Sequence, residues 1–380
     1  MTPAMASGAA PGNPTIASAC ALPEVAMTFF YGHVFAAEPE IRAMFPAAMG
    51  SQPLRFYRAL TGGPSSGYLE SLGRSHRKYG VRKEHYLAFR AALRATSRRC
   101  GLRVADEAAV LTAFDRAAAI MIAAADADAV SAPAWWAAQV TGHVLAAPDI
   151  AVLTLRSDRR LAYRPGQHVW VQTPRWPRQW RRYSLATAPR PDGTLTLHVR
   201  AVPGGLVSSA LVYHTRPGDS LLLGRAEGSM TADTRSSRDV LCLAGGTGMA
   251  PLMAIAEVLA ATSGAAFAGL GSRREVVVYH GARTTKGLYA LPALRGLVAS
   301  YPGLAVIPAT SADRVPQAAG GTIPDLAVRA PWRNRDIYIA GPEAMIIATV
   351  RALLAAGADP AQLRYDLPTV FLLAFYSATQ

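Results

Sequence analysis

The spacing of apolar and polar positions changes twice along the chain. Over residues 21–134 apolar side chains recur at helical intervals, as in MTFFYGHVFAAEPEIRAMF, EHYLAFRAALRATSRR and DEAAVLTAFDRAAAIMIAAA. Pro39 breaks the first of these runs, and Asp106 is the expected N-cap of the last. The pattern predicts an all-α domain of five or more helices. Over 138–234 the period drops to two. IAVLTLRS, HVWVQT and TLTLHVRAV are short alternating runs separated by turns such as RPGQ and RPDG. Leu195, Leu197 and Val199 are expected on one face, with Thr194, Thr196 and His198 on the other. This predicts a small antiparallel β-barrel or sandwich. Over 237–366 continuously apolar strands (DVLCLA, EVVVYHGA, LAVIPATS, DIYIAG) alternate with helices such as PLMAIAEVLAA and MIIATVRALLAAG. That rhythm predicts a doubly wound α/β domain on a parallel sheet. Residues 1–20 read as a flexible N-terminal tail and 367–380 as a C-terminal one.

Composition narrows the possibilities. The 380 residues are 51% hydrophobic, ample for packed cores. The formal charge is +14, but the arginines are scattered and only Lys78, Lys83 and Lys286 are lysines. No basic block marks a nucleic-acid interface. Cys20, Cys100 and Cys242 are odd in number and far apart, so they imply no disulfide framework, no zinc site and no iron–sulfur cluster. The longest apolar runs, 117–125 and 369–375, are shorter than a bilayer requires, and no secretory signal precedes them. A cytoplasmic protein without a transmembrane segment is the expectation.

The chemistry-bearing motifs cluster between 181 and 345. Arg181, Tyr183 and Ser184 form an RxYS pattern at a barrel strand, where an arginine can grip a phosphate and a tyrosine can stack on a planar ring. Gly204-Gly205-Leu206-Val207-Ser208 opens a helix whose backbone amides suit a pyrophosphate. GGTGMAP (245–251) joins a buried strand to a helix, with Pro251 where the dinucleotide fingerprint has its third glycine. Gly341-Pro342-Glu343 closes the last strand. In this order and spacing the motifs resemble the ferredoxin–NADP⁺ reductase superfamily over roughly residues 138–366. The resemblance assigns Arg181, Tyr183, Ser184, Gly205 and Ser208 to FAD. It assigns Gly246, Thr247, Gly248 and Pro251 to NAD(P)H, and puts Gly341 and Pro342 beside the nicotinamide. Ala340 stands where many members carry a cysteine. Arg283 is a candidate for a 2′-phosphate, which leaves NADH against NADPH open.

A flavin accepts a hydride and releases electrons singly, so this module needs a one-electron acceptor. In LGRSHRKYGVRKEHY (72–86), His76 and His85 are nine residues apart, about 180° around a continuous helix, and Gly80 lies between them. They cannot share one metal from one helix face, whereas a haem needs a single proximal histidine. His85 reads as a surface residue at a helix start. FFYGHVFAAEPEIRAMFP followed by HRKYGVRKEHY resembles the globin half of bacterial flavohaemoglobins. The resemblance implies haem b on His76, with Tyr86 orienting that histidine. It makes Tyr31 and Gln52 the distal residues at bound oxygen and sets Phe45 on the haem face. Two features depart from the family. Gly62-Gly63-Pro64 stands where a helix usually continues, and no glutamate completes the proximal network, for which Asp126 or Asp128 are the nearby acids.

The sequence therefore predicts a multidomain chain: a globin-like all-α domain, an antiparallel β-barrel FAD domain and a doubly wound α/β NAD(P)-binding domain. The resemblance implies electron flow from NAD(P)H through FAD to haem, and oxygen-dependent conversion of nitric oxide to nitrate. Alternatives are an FAD-dependent reductase with a degenerate globin domain, and a haem-based gas sensor with an attached reductase.

Overall fold

The computed structural model describes residues 23–50, 52–266, 274–301, 303–313 and 316–367. Both expected tails lie largely outside these residues. Two compact units result, one running to Trp135 together with Pro177–Gln179, the other comprising Trp136–Trp176 and Trp180 onward.

The first unit is helical: α1 (Pro23–Ala37), α2 (Pro39–Arg42), α3 (Gln52–Gly62), α4 (Ser66–His76), α5 (His85–Arg99) and α6 (Val104–Ser131). Pro39 sits in the first turn of α2, where a missing N–H costs nothing. Gly63 (φ +57°) ends α3, and the Ser65 hydroxyl accepts the Tyr68 N–H to start α4. After α4 a 3₁₀ turn, Arg77–Tyr79, closes on Gly80 at φ +79°. His76 and His85 thus belong to different helices. Asp106 is not the N-cap of α6: the helix begins two residues earlier, and Asp106 lies in its first turn, ion-paired with Arg103 at 2.7 Å. The core joins Phe30, Tyr31, Val34, Ile41, Leu93, Val110 and Phe114, with Phe35, Phe45, Phe56 and Phe89 packed on it.

By length and composition α6 is long and apolar enough to cross a membrane, the one such helix among the described residues. The sequence runs did not suggest this, because alanines extend the apolar stretch between scattered charges. Its buried residues, Val110, Leu111, Phe114, Ala118, Met121 and Ala124, recur at helical spacing along one stripe, as in a helix packed on a core. The run 369–375 lies outside the described residues. Cys100, at the end of α5, is disulfide-bonded, although the spacing of the cysteines gave no sign of it; Cys20 lies outside the described residues.

The second unit combines two sheets. Strands β1 (Trp136–Ala147), β2 (Ile150–Ser157), β3 (His168–Gln172), β4 (Arg181–Ser184), β5 (Thr194–Arg200) and β6 (Ser220–Glu227) form an antiparallel sheet ordered β4-β3-β6-β1-β2-β5. The predicted alternation is observed. Leu195, Leu197 and Val199 are at most 1% exposed, all on one face of β5. Helix α7 (Leu206–Ser209), extended by a π turn through His214, follows β5.

The other sheet is parallel through its main strands, ordered β10-β9-β8-β7-β11-β12. Its strands are β7 (Asp239–Gly245), β8 (Val276–Ala282), β9 (Leu304–Thr310), β10 (Ala319–Gly320), β11 (Arg335–Ala340) and β12 (Leu363–Arg364). Helices α8 (Met249–Ala266), α9 (Leu291–Ser300), α10 (Ile323–Ala327) and α11 (Glu343–Ala355) cover it. Along β7, Val240, Cys242 and Ala244 join the core beneath α8 and α9, while Leu241 and Leu243 join the core beneath α10 and α11. A strand buried on both faces must be apolar throughout, which is how DVLCLA reads.

Candidate functional site

The RxYS residues are strand β4 itself, paired with β3 so that Tyr183 faces Val169 and Ser184 faces His168. Arg181 is exposed, and among the described residues its guanidinium donates only to the neighbouring Trp180 carbonyl at 3.0 Å. It keeps most of its donors for an anion. Burial raises the Tyr183 phenol, with Arg181 opposing, so the ring stays neutral and suited to stacking. At the next motif Gly205 caps α7. The Ser208 hydroxyl donates to the Gly205 carbonyl (3.1 Å) and accepts the Val202 N–H (3.3 Å). A Cβ on Gly205 would stand 2.4 Å from that hydroxyl, so the tight turn requires glycine. Ser208 therefore shapes the loop that presents backbone amides.

At the carboxyl ends of β7 and β11 two glycine turns meet. A Cβ on Gly248 would lie 2.3 Å from the Ala340 carbonyl oxygen, and one on Gly341 would lie 3.1 Å from the Gly245 backbone. Gly246 adopts φ +54° and Gly341 φ +155°. The backbones touch, and Thr247 stays partly accessible at the tip. Pro251 is buried in the first turn of α8, and Gly248 makes the close approach to β11. Pro342 caps α11, whose N-terminus opens beside this turn. The arrangement is a crevice at the carboxyl ends of a parallel sheet, the usual seat of a dinucleotide. Ala340 is 6% exposed and Arg283 stands exposed beyond β8.

In the helical unit Tyr31 is buried in α1. Its ring meets Phe35, Phe45, Phe56 and Phe89 at centroid distances of 5.6–6.4 Å. Arg42 holds the loop that carries Phe45, donating to the carbonyls of Phe45, Pro46 and Ala47. His76 is the last residue of α4, partly buried and edge-on to Tyr79. Burial, then the nearby Lys78 charge, lowers its pKa to about 4, which keeps the imidazole neutral and able to ligate a metal. Burial pushes Tyr86 up to about 12 and Tyr31 higher still. Among the described residues neither the imidazole nor these two hydroxyls hydrogen-bonds to protein. Gln52 is exposed at the start of α3, apart from the aromatic cluster.

Other placements differ from expectation. His85 is not a surface residue: it is 2% exposed, its Nδ1 accepts the Arg82 N–H (3.0 Å), and its Nε2 lies 3.2 Å from Glu40 Oε1. The imidazole closes the turn that starts α5. Asp128 is buried and pairs with Arg77, while Asp126 is exposed. Sequence reasoning passed over Gly73. A Cβ there would lie 2.2 Å from the Met121 carbonyl, so this glycine sets α4, and with it His76, against α6. A glycine three residues before a candidate ligand was the available signal.

Comparison with known proteins agrees with the second unit. Residues 138–231 match the family model of an oxidoreductase FAD-binding domain, and 242–351 that of an oxidoreductase NAD-binding domain. The chain is 32% identical over 200 residues to reductase component 1 of terephthalate 1,2-dioxygenase from Comamonas sp., covering 52% of this chain and 56% of that one. It is 30% identical over 246 residues to the reductase subunit of aromatic O-demethylase from Amycolatopsis sp., covering 60% and 68% respectively. The match thus spans little more than half the length of the first relative. Among solved structures, flavohemoglobin from Malassezia yamatoensis, with bound FAD and heme, superposes with a TM-score of 0.71 over 93% of this chain and 97% of that one. Its identity is 16%, a likeness of fold alone. The two matched modules, together with a relative 30% identical and covered to 68%, establish that the chain belongs to the ferredoxin reductase-like family of FAD- and NAD-binding oxidoreductases, and that it is an FAD-dependent NAD(P)H oxidoreductase.

Proposed function

We propose that the chain is a flavohaemoglobin-like nitric oxide dioxygenase, in which NAD(P)H and FAD supply electrons to a haem held by the globin-like helical unit. The observation that carries this reading is the fold likeness to a flavohemoglobin across 93% of the chain, helical unit included. The residues fit the group. Helices α3 and α4 are consecutive yet pack on different partners, α3 on α1 and α4 on α6. Among the described residues neither the half-buried His76 ring nor the hydroxyl of buried Tyr31 forms a hydrogen bond. A polar atom left this way calls for a ligand or solvent partner.

In this reading His76 is the iron ligand and Phe45 lines the haem face. Tyr31 would offer a hydrogen-bond donor beside the group, and haem would supply the site of oxygen and nitric oxide chemistry. The Tyr31 phenol stays protonated under burial, so it keeps its donor at all working pH values. Arg181, Tyr183 and the Gly205 turn bind and orient the flavin. The crevice of Gly246, Thr247, Gly248 and Gly341 brings the nicotinamide to it. Tyr86 remains in this proposal as a proximal supporting residue, whereas Gln52, exposed and apart from the cluster, takes no part in it.

The test is the purified protein itself. It is expected to show flavin and Soret absorption, to lose only the Soret band in His76→Ala, and to consume nitric oxide with NADH and oxygen. A preparation with flavin but no Soret band after haem supplementation would sink the haem assignment.

A second reading is favoured by the relatives, which are named as reductase components of oxygenase systems. Here the flavin module passes electrons to a separate protein acceptor, and the helical unit holds no haem. NAD(P)H oxidation with artificial acceptors and no nitric oxide consumption would distinguish it.

A further inference from the structure

Alternate residues of a strand share a side, so β5 presents His198 and Arg200 together. This face does not end in solvent. His198 is 8% exposed, and its Nδ1 lies 2.7 Å from the hydroxyl of Tyr289, in the segment between β8 and α9. The two rings meet edge to face with centroids 5.4 Å apart. On β8 the His280 ring makes a second edge contact with Tyr289 at 5.7 Å. His280 is fully buried. It lies against the backbone of Gly246, yet neither ring nitrogen closes a hydrogen bond of normal geometry. Arg200 completes the group. Its Nε is 3.2 Å from Asp149, and its Nη1 is 3.2 Å from where a Cβ on Gly246 would stand.

The flavin-binding sheet therefore holds the nucleotide glycine loop by two routes from one strand. The Arg200 guanidinium fills the space where a side chain on Gly246 would stand. His198 grips Tyr289, and Tyr289 packs on the His280 ring beneath the same glycine. Burial lowers both histidines to about 4 and raises Tyr289, so the His198–Tyr289 contact is a neutral hydrogen bond at ordinary pH. A neutral bond in a dry interface is insensitive to salt and fixes distance sharply.

We propose that the His198–Tyr289 hydrogen bond is a latch that keeps the Gly246 loop in register with the flavin-binding barrel, making both side chains positioning residues for hydride transfer. In that reaction the nicotinamide C4–H bond breaks, and the hydride passes with both electrons to the flavin. The latch gives no atom to the exchange and acts on the reacting distance alone. Reacting atoms must approach to about 3–3.5 Å, and a misplacement of about 1 Å can cost up to 100-fold in rate.

The test is stopped-flow reduction of the flavin in the full chain by NADH and by 4-deuterated NADH. Tyr289→Phe removes only the hydroxyl. It is expected to slow reduction at saturating NADH about 10-fold or more, with the nucleotide dissociation constant changed less than about twofold and a larger deuterium isotope effect. His198→Ala is expected to show the same loss, and His198→Asn, which keeps a donor and an acceptor, to restore most of the rate. The double variant Tyr289→Phe/His198→Ala is expected to be no slower than either single variant. Reduction at the wild-type rate with an unchanged isotope effect in Tyr289→Phe overturns the proposal, as do single-variant losses that multiply in the double variant. If Tyr289→Phe does not fold, the His198→Ala and His198→Asn pair decides on the same readouts, and equal rates in that pair overturn it.

Discussion

Arg77 and Asp128 form a buried ion pair that ties the turn after His76 to the end of α6. The side chains are 14% and 5% exposed, and Arg77 Nη2 also donates to the Ala132 carbonyl at 2.8 Å. Asp128, one of the two acids near the expected proximal network, pairs with the neighbouring arginine. Removing one partner of a buried pair leaves an uncompensated charge, so Asp128→Ala or Arg77→Ala is expected to cost the helical unit about 3–5 kcal/mol. Replacing both by Leu and Met is expected to cost much less. Denaturant titration followed by far-ultraviolet circular dichroism measures each. A loss under about 1 kcal/mol in the single variants means that the pair behaves as a solvated one.

Gly73 makes a separate prediction about the same helix. With its Cβ position 2.2 Å from the Met121 carbonyl, Gly73→Ala forces α4 away from α6 or strains both backbones. Overpacking of this kind typically costs about 1–3 kcal/mol, more where the obstacle is backbone. The helical unit is expected to melt earlier while the flavin module keeps its transition. In the proposed haem-binding reading, the Soret absorption falls as well, because His76 moves with α4. A Gly73→Ala protein with wild-type melting and spectrum would show that the crossing is looser than these distances.

Much of this was written locally in the chain. Period-two runs became the strands of the antiparallel sheet, and DVLCLA became a strand buried on both faces, as its unbroken apolar run suggested. The glycine turns at 245–248 and 341 were legible because backbone contact demands glycine. What escaped reading depends on partners far away in sequence. His85 looked exposed at a helix start, and only the approach of Glu40 and the turn at Arg82 shows why it is buried. Asp128 finds Arg77 across 51 residues. His198 fell on the polar face of β5, and no local signal said that Tyr289 would cover it.

The buried histidines predict a pH response. His198 and His280 have folded pKa values lowered by burial from 6.5 to about 4. The unfolded chain therefore binds more protons than the folded one between pH 6.5 and 4. Stability is full above pH 6.5 and declines as pH falls through this window, by up to roughly 3 kcal/mol per histidine at its lower end. Melting of the flavin module followed from pH 7 to 4 checks the sign. In His280→Gln the slope is expected to be shallower by about one proton, near 1.4 kcal/mol per pH unit where the difference is largest. An unchanged slope would mean that His280 gains a partner or solvent on acidification.

The nucleotide crevice offers a test through one methyl group. Gly248 has no room for a Cβ, which would sit 2.3 Å from the Ala340 carbonyl oxygen and 2.5 Å from the Gly341 nitrogen. Neither obstacle is a flexible side-chain end, so Gly248→Ala must push the loop after β7 away from the turn after β11. These turns form the two walls of the crevice, whereas the residues proposed to bind flavin, on β4 and α7, lie elsewhere in the unit. The variant is therefore expected to keep its flavin and its reduction by dithionite. Its KM for NAD(P)H is expected to rise about 10-fold or more, since misplacement by an ångström is costly at a reacting site. Steady-state rates with ferricyanide as acceptor separate these effects. A normal KM in Gly248→Ala would mean that the nicotinamide nucleotide does not use the junction of the two glycine turns.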